Sequence, residues 1–221
     1  MRLFSYKLTH DTGFAPNPFG HTLTLATCKP MIRRAKQRGD WIAGFTSVAL
    51  ADDRVGEERL VYLMRVGEKR HLREYFTDPR FQDKIPNLQA PGAMPKAGDN
   101  IYRPLVPGAS EPEHFEQLRN PNHWGGMGPS EADRQRDISG QYVLIADEFY
   151  YFGANALSIP ADIRPYLPSG QSAQGRLTPQ GHAERFIRFI RDRYQTGRHG
   201  NPTQWPDEKS VPATTGSCGA H

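Results

Sequence analysis

Apolar and polar side chains alternate over residues 2–9, the period of a strand with one buried face. A Pro-, Gly- and Asn-rich loop follows at 11–20, carrying Phe14 and Phe19, rings that need a surface to pack on. Residues 21–28 read as a second strand with Leu23, Leu25 and Ala26 buried, running straight into Pro30. Proline suits a first helical turn, Met31, Ile32 and Ala35 give a short apolar stripe, and Gly39 supplies a stop, so Cys28 or Lys29 sits at a helix N-terminus. Residues 40–45 and 60–66 are strand-like, joined by a hydrophilic segment at 52–59. Leu72, Tyr75 and Phe76 line one face of a short helix ending before Asp78-Pro79.

Between residues 85 and 139 the periodicity is lost. A structureless stretch of that length is uncommon inside a domain, and the presence of Tyr102, Phe115 and Trp124 favours an ordered functional excursion. Strand periodicity resumes at 142–152, with a bulge or strand end expected at Asp147-Glu148. The clearest element is an amphipathic C-terminal helix: Thr178 caps, Pro179 takes the first turn, Ala183, Phe186, Ile187, Ile190 and Tyr194 share a face, and Gly197 stops it. The pattern predicts one α+β domain over residues 1–200 and a flexible polar tail over 201–221.

Composition narrows this picture. A length of 221 residues suits one domain, and 19 Pro and 21 Gly imply a modest core framed by ordered loops. Two cysteines, Cys28 and Cys218, are too few for a disulfide scaffold and read as free thiols in a reducing cytoplasm. No stretch approaches the ~20 apolar residues of a membrane span, and the N-terminus lacks a signal-peptide core. A net charge of +4 is compatible with a polyanionic partner without requiring one.

Cys28 stands out as a candidate nucleophile, because a helix start, Lys29 and Arg33 all favour its thiolate; the alternative is a small buried hydrophobe. Asp11, equally suited to a turn, and Asp99 are candidate general bases. Asn100 and Tyr102 add an amide and a phenol that can read a base edge, and Trp41 and Tyr151 are candidate stacking rings or core. Arg33, with Arg34, Lys36 and Arg38, could hold phosphate, as could Arg185, Arg188, Arg191 and Arg193, although solvated helix faces look the same. No zinc-deaminase ligand set, Walker loop or dinucleotide loop is present, so neither metal nor cofactor is indicated.

Several blocks together resemble a known group: residues 11–19 (DTGFAPNPF), 24–30 (TLATCKP) followed by Ile32-Arg33, 39–44 (GDWIAG), 98–102 (GDNIY) and 149–153 (FYYFG). They are similar to the nucleotide-modification-associated domain families of bacteria and phages, the second and third of that numbered series. The resemblance spans roughly residues 2–200 and implies a role in DNA base hypermodification or related phage-conflict systems, with nucleotide, DNA or RNA and other modification-system proteins as partners. It supplies no catalytic residue set. The order of elements around Gly39-Asp40, residues 60–66 and residues 75–81 also resembles PUA-like domains of the ASCH and EVE type. The fold is therefore expected to be a compact mixed sheet or a small PUA-like barrel.

Taken together, these readings predict a base or nucleotide held between the 11–19 loop, the Cys28 helix start and residues 99–102. Asp11 and Asp99 would share one cavity with a ring, Arg33 would lie at its rim, and Cys28 would attack the base. The rival is a non-catalytic reader in which Trp41, Tyr102 and Tyr151 stack a modified base. A third class, a protein-interaction module, would use the aromatic loops as hot spots.

Overall fold

The computed structural model describes residues 1–125, 128–170 and 172–205; Cys218 and most of the polar tail lie outside them. The chain forms strands β1 (Leu3–Lys7) and β2 (Thr24–Leu25), helix α1 (Pro30–Ala35), β3 (Trp41–Phe45), α2 (Val48–Ala51), β4 (Leu60–His71) and α3 (Leu72–Thr77). It continues through β5 (Tyr102–Pro104), β6 (Phe115–Gln117), β7 (Trp124–Gly125), β8 (Gly128–Pro129), α4 (Glu131–Ser139), β9 (Tyr142–Tyr151), β10 (Arg176–Thr178), α5 (Gln180–Arg191) and β11 (Gly197–Arg198).

Seven strands form one mixed sheet in the order β10-β1-β3-β4-β9-β11, with β2 also on β9. The β1–β3 and β9–β11 pairs are parallel and the other pairs antiparallel. The sheet is open, so of the two expected architectures the mixed sheet is the one adopted, and no barrel closes.

Alternation along β3 explains how the sheet is covered. Trp41, Ala43 and Phe45 point to the face packed by Ala183, Phe186, Ile187 and Ile190 of α5, while Ile42 joins Leu25, Ile32 and Tyr62 on the opposite face. In β9 the alternation is broken on purpose. Leu144 and Ala146 face the second cluster, but beyond Asp147 that role passes to Phe149 and Tyr151. The ladder skips Asp147, pairing Glu148 with Arg65 and Ala146 with Val66, and one extra residue reverses which side chains point inward.

The 85–139 excursion is ordered where described. It contributes β5, β6 and α4 and builds a third apolar cluster in which Phe14, Ala26, Tyr75, Ile101, Tyr102, Phe115 and Ile138 surround Cys28. Helix α4 escapes a search for apolar periodicity because it is mostly polar; its start is marked by Ser130, whose hydroxyl accepts from Asp133 N. At α5 the cap differs from expectation. Thr178 lies in β10, where its hydroxyl accepts from Tyr166 N, and Pro179 occupies the N-cap without a side-chain bond.

Residues 201–205 fold back onto the 11–19 loop. Thr203 donates to Asp11 Oδ2 through its backbone N (2.8 Å) and its hydroxyl (2.9 Å), and Trp205 packs on Phe19 at 5.2 Å. Tyr151 donates to Asp11 Oδ1 at 2.5 Å. Burial pushes the Asp11 carboxyl up, against these donors. Asp11→Asn leaves only one accepting oxygen where two are used, so it is expected to cost about 1–3 kcal/mol. Thermal unfolding checks this, and an unchanged Tm would contradict it.

Candidate active site

Thr24 and Leu25 form β2, and residues 26–29 carry the chain from it into α1. Cys28 (φ 52°) and Lys29 (φ 38°) both occupy left-handed conformations, which cost of order 1 kcal/mol or more each outside glycine. The turn is held from both sides. Cys28 N donates to Asp137 Oδ1 at 2.6 Å, and the Cys28 carbonyl accepts from Arg33 Nε at 2.8 Å. Such a strained strand-to-helix turn is the arrangement that sets a nucleophilic side chain apart from the backbone around it.

Three elements then converge on the thiol. Cys28 Sγ lies 3.4 Å from His123 Nε2, and His123 Nδ1 lies 3.1 Å from Asp137 Oδ2, an ion-pair distance off the line of a well-aligned hydrogen bond. Tyr102 donates to the same carboxylate oxygen at 2.9 Å. Asp137 comes from α4 and Tyr102 from β5, while a turn in which His123 N donates to the Asn120 carbonyl positions the imidazole. The edge of Phe14 meets the imidazole with ring centres 4.7 Å apart, and the amide of Gln117 donates to the His123 carbonyl. Arg136 lies 3.5 Å from His123 Nε2 and is itself paired with Asp133.

The cluster is dry. His123, Asp137 and Arg33 are fully buried and Cys28 retains 6% of its surface. Burial acts to raise the Asp137 carboxyl, but the charges of His123, Arg33 and Arg136 outweigh it and hold the group below the usual carboxylate range. Burial and the Asp137 charge push the Tyr102 phenol far up, so it remains a donor. An ionised carboxylate beside Nδ1 stabilises an imidazolium, and an imidazolium beside Sγ stabilises a thiolate.

Of the residues singled out from sequence, the structure brings Cys28, Arg33 and Tyr102 together around Asp137. Arg33 does not face a phosphate site: its guanidinium donates to the carbonyls of Cys28, Tyr142 (2.8 Å) and Asp137 (2.6 Å). A Cβ on Gly140 would come within 2.7 Å of Arg33 Cζ, so that glycine makes room for the guanidinium. Asp99 and Asn100 lie in a neighbouring network. Asp99 accepts from Thr24 Oγ1 (2.6 Å) and Tyr75 OH (2.8 Å), and Asn100 donates to the carbonyls of Tyr75 and Phe81. Burial raises the Asp99 carboxyl, against Lys84 and its two hydroxyl donors. Asp11 and Tyr151 form the separate pair that holds residues 201–205, and Trp41 is buried under α5 with Arg191 over its ring at 5.2 Å.

Lys84 belongs to the Asp99 network and donates to Asn17 O, Asn17 Oδ1 and Thr22 O. Burial lowers its ammonium from 10.5 to about 8, against the attraction of Asp99 and Asp83. Between those values the unfolded chain carries a proton here that the folded chain lacks, so stability contributed by this group rises with pH. The cost is fully present below pH about 8. Buried tyrosines act oppositely, but only as unfolded tyrosine titrates near about pH 10. Urea unfolding at about pH 7.5 and 9.5 is expected to show a rising slope in wild type that is reduced in Lys84→Met.

Two concavities lie elsewhere. One of about 60 Å³ is bordered by His71, Leu72, Ser110 and Phe115; one of about 500 Å³ opens at the β9 bulge beside His21, Asp147, Phe149 and Arg198. Neither is lined by Asp11, Asp99, Cys28 or the candidate rings. Among the described residues no group of three His, Cys, Asp or Glu is placed to hold a metal ion, and no helix is long and apolar enough to cross a membrane.

Residues 1–209 match the family described as nucleotide modification associated domain 2. The chain belongs to this family. No curated protein and no solved structure matches it. Membership in the nucleotide modification associated domain 2 family is consistent with a role in nucleotide or nucleic-acid modification.

Proposed function

We propose that the chain is a nucleotide- or base-modifying enzyme of a bacterial or phage DNA hypermodification system, working through a covalent Cys28 intermediate. The observation that carries the reading is the 3.4 Å approach of Cys28 Sγ to His123 Nε2 at a turn strained at Cys28 and Lys29, with Asp137 behind the imidazole. Cys28 is the nucleophile, His123 the general base and Asp137 the group that orients it; Tyr102 and Arg33 fix Asp137 and the turn.

In the first step the thiol proton passes to His123 Nε2. The sulfur lone pair forms an S–C bond with an electrophilic carbon of the substrate, and the displaced electron pair moves onto the adjacent ring or carbonyl atom. That atom takes the proton back from His123, giving a neutral adduct; on reversal the same atom returns the proton to His123 as its electron pair expels the sulfur, and His123 returns it to the departing thiolate, which regenerates the thiol. Asp137, held ionised, stabilises the imidazolium between these steps.

The non-catalytic reader needs rings open to a base, and Trp41, Tyr102 and Tyr151 are at most 2% exposed. The catalytic reading is tested by iodoacetamide labelling of the full chain with peptide mapping. Cys28 is expected to label faster than Cys218; a Cys28 that stays inert until the protein is denatured removes it from the mechanism.

A further inference from the structure

A nucleophilic sulfur has to meet its substrate, yet Cys28 retains 6% of its surface and His123 and Phe14 at most 1%. A site shut in this way works only if something packed over it moves. Residues 12–14 pack on the imidazole and its turn: the edge of Phe14 meets His123 with ring centres 4.7 Å apart, and Thr12 Oγ1 donates to Asn122 Oδ1 at 2.8 Å, one residue before the imidazole. The chain on either side of this span is fixed. Tyr151 holds Asp11 from the sheet, and Asn17 donates to Ala97 O at 2.9 Å and pairs with Thr24. Between these two anchors lies Gly13 at φ 78°, a conformation that other residues rarely adopt.

The other side of the span is held by residues 202–205, which follow β11. A Cβ on Gly13 would come within 2.9 Å of Pro202 Cγ and 2.6 Å of Phe19 Cε2, so both rings pack directly on that glycine, and Trp205 backs Phe19 at 5.2 Å. Asp11 N donates to Gln204 Oε1 at 3.0 Å, Gln204 N donates to Asp11 O at 2.9 Å, and Thr203 donates twice to Asp11 Oδ2. Contacts therefore run in layers from residues 202–205 to Gly13 and Phe14, from Phe14 to His123, and from His123 to the Cys28 sulfur. We propose that residues 202–205 are a latch and residues 12–14 a lid: with the latch seated the Cys28 site is shut, and its release lets Phe14 leave His123 and opens the sulfur to substrate. The proposal rests on the reading of Cys28 as nucleophile and adds how that site is gated. Thr203 and Trp205 are only half-buried and Gln204 is exposed, which suits a segment that opens without unfolding the rest of the chain.

The test is the rate at which iodoacetamide alkylates Cys28 in the native full-length chain at about pH 9, above the ordinary thiol value of about 8.5, where the rate reports access to the sulfur rather than its activation. Thr203→Val/Trp205→Ala removes the hydroxyl donor and the ring of the latch, and Thr203→Ser/Trp205→Phe keeps a hydroxyl and a ring. The first is expected to label at least about tenfold faster than wild type, and the second within about threefold of it. The rate in the first variant should stay flat in urea well below its unfolding transition, because opening so short a span exposes little surface, whereas global unfolding would make it climb steeply. An unchanged rate in Thr203→Val/Trp205→Ala, an equal gain in Thr203→Ser/Trp205→Phe, or a gain that climbs with urea as global unfolding does would overturn the proposal. The nucleophile reading fails separately, if wild type and His123→Gln label alike at about pH 6, where activation sets the difference between them.

Discussion

His123→Gln is expected to slow alkylation of Cys28 at about pH 6 by on the order of 10²-fold, relative to wild type. An ordinary thiol, with its value near about 8.5, is only about 0.3% thiolate at that pH. In the proposed mechanism the imidazole 3.4 Å away takes the proton, with Asp137, held below the usual carboxylate range, beside Nδ1. Glutamine fills much of the same space and can still hydrogen-bond, but it cannot accept a proton. Timed labelling with mass detection of the Cys28 peptide reads the effect. A rate within about threefold of wild type would mean that the imidazole packs beside the sulfur without activating it.

Arg33→Leu is expected to be the most destabilising single substitution considered, costing about 3–5 kcal/mol. The side chain is fully buried, and its removal strands three carbonyl acceptors and leaves the Asp137 carboxylate short of a positive neighbour. At about 2–4 °C per kcal/mol for a chain of this size, Tm should fall by about 10 °C. Arg33→Lys should recover only part of the loss, since a point ammonium cannot reach carbonyls in three directions as the guanidinium fork does. Arg34→Ala, at an exposed neighbour on the same helix, should stay within about 0.5 kcal/mol of wild type. Equal Tm values for Arg33→Leu and Arg34→Ala would show that the guanidinium does not hold the turn.

How far the fold could be read from sequence depended on periodicity. β1 by alternation and β3, β4 and β9 as apolar runs stand out, and the bulge at Asp147 was marked by two acids interrupting such a run. A helix opening at Pro30 was legible from the proline, and of the two residues offered for its N-terminus Lys29 is the N-cap, with Cys28 just before it. The other two members of the site were not. Asp137 lies on a mostly polar helix whose buried face is Asp133, Asp137 and Ile138, so no apolar stripe announced it. His123 sat beside Trp124 in a segment without periodicity, and contacts with Phe14, Gln117 and Asp137 give it a place.

Arg33 was misjudged for a related reason. Its neighbours on α1 are basic, which suggested a charged surface, yet the stripe that faces the core is Ile32 and Arg33 while Met31 is exposed. The carboxylates of Asp11 and Asp99 did mark crowded polar blocks, and each block has tertiary work to do: Asp11 anchors residues 201–205 and Asp99 ties β2 to α3. Loops without periodicity can be built for closure between distant segments as readily as for chemistry.

The central claim is that the 3.4 Å contact between Cys28 and His123 makes a nucleophile. It is tested most directly by the ultraviolet absorbance of the thiolate, followed from about pH 4 to about pH 9 as the difference between wild type and Cys28→Ser, within the range bounded by ordinary carboxylate and thiol values. The account predicts a thiolate signal already present at about pH 6 and absent there from His123→Gln; a signal that emerges only at or above the ordinary thiol value of about 8.5, alike in both proteins, would contradict it.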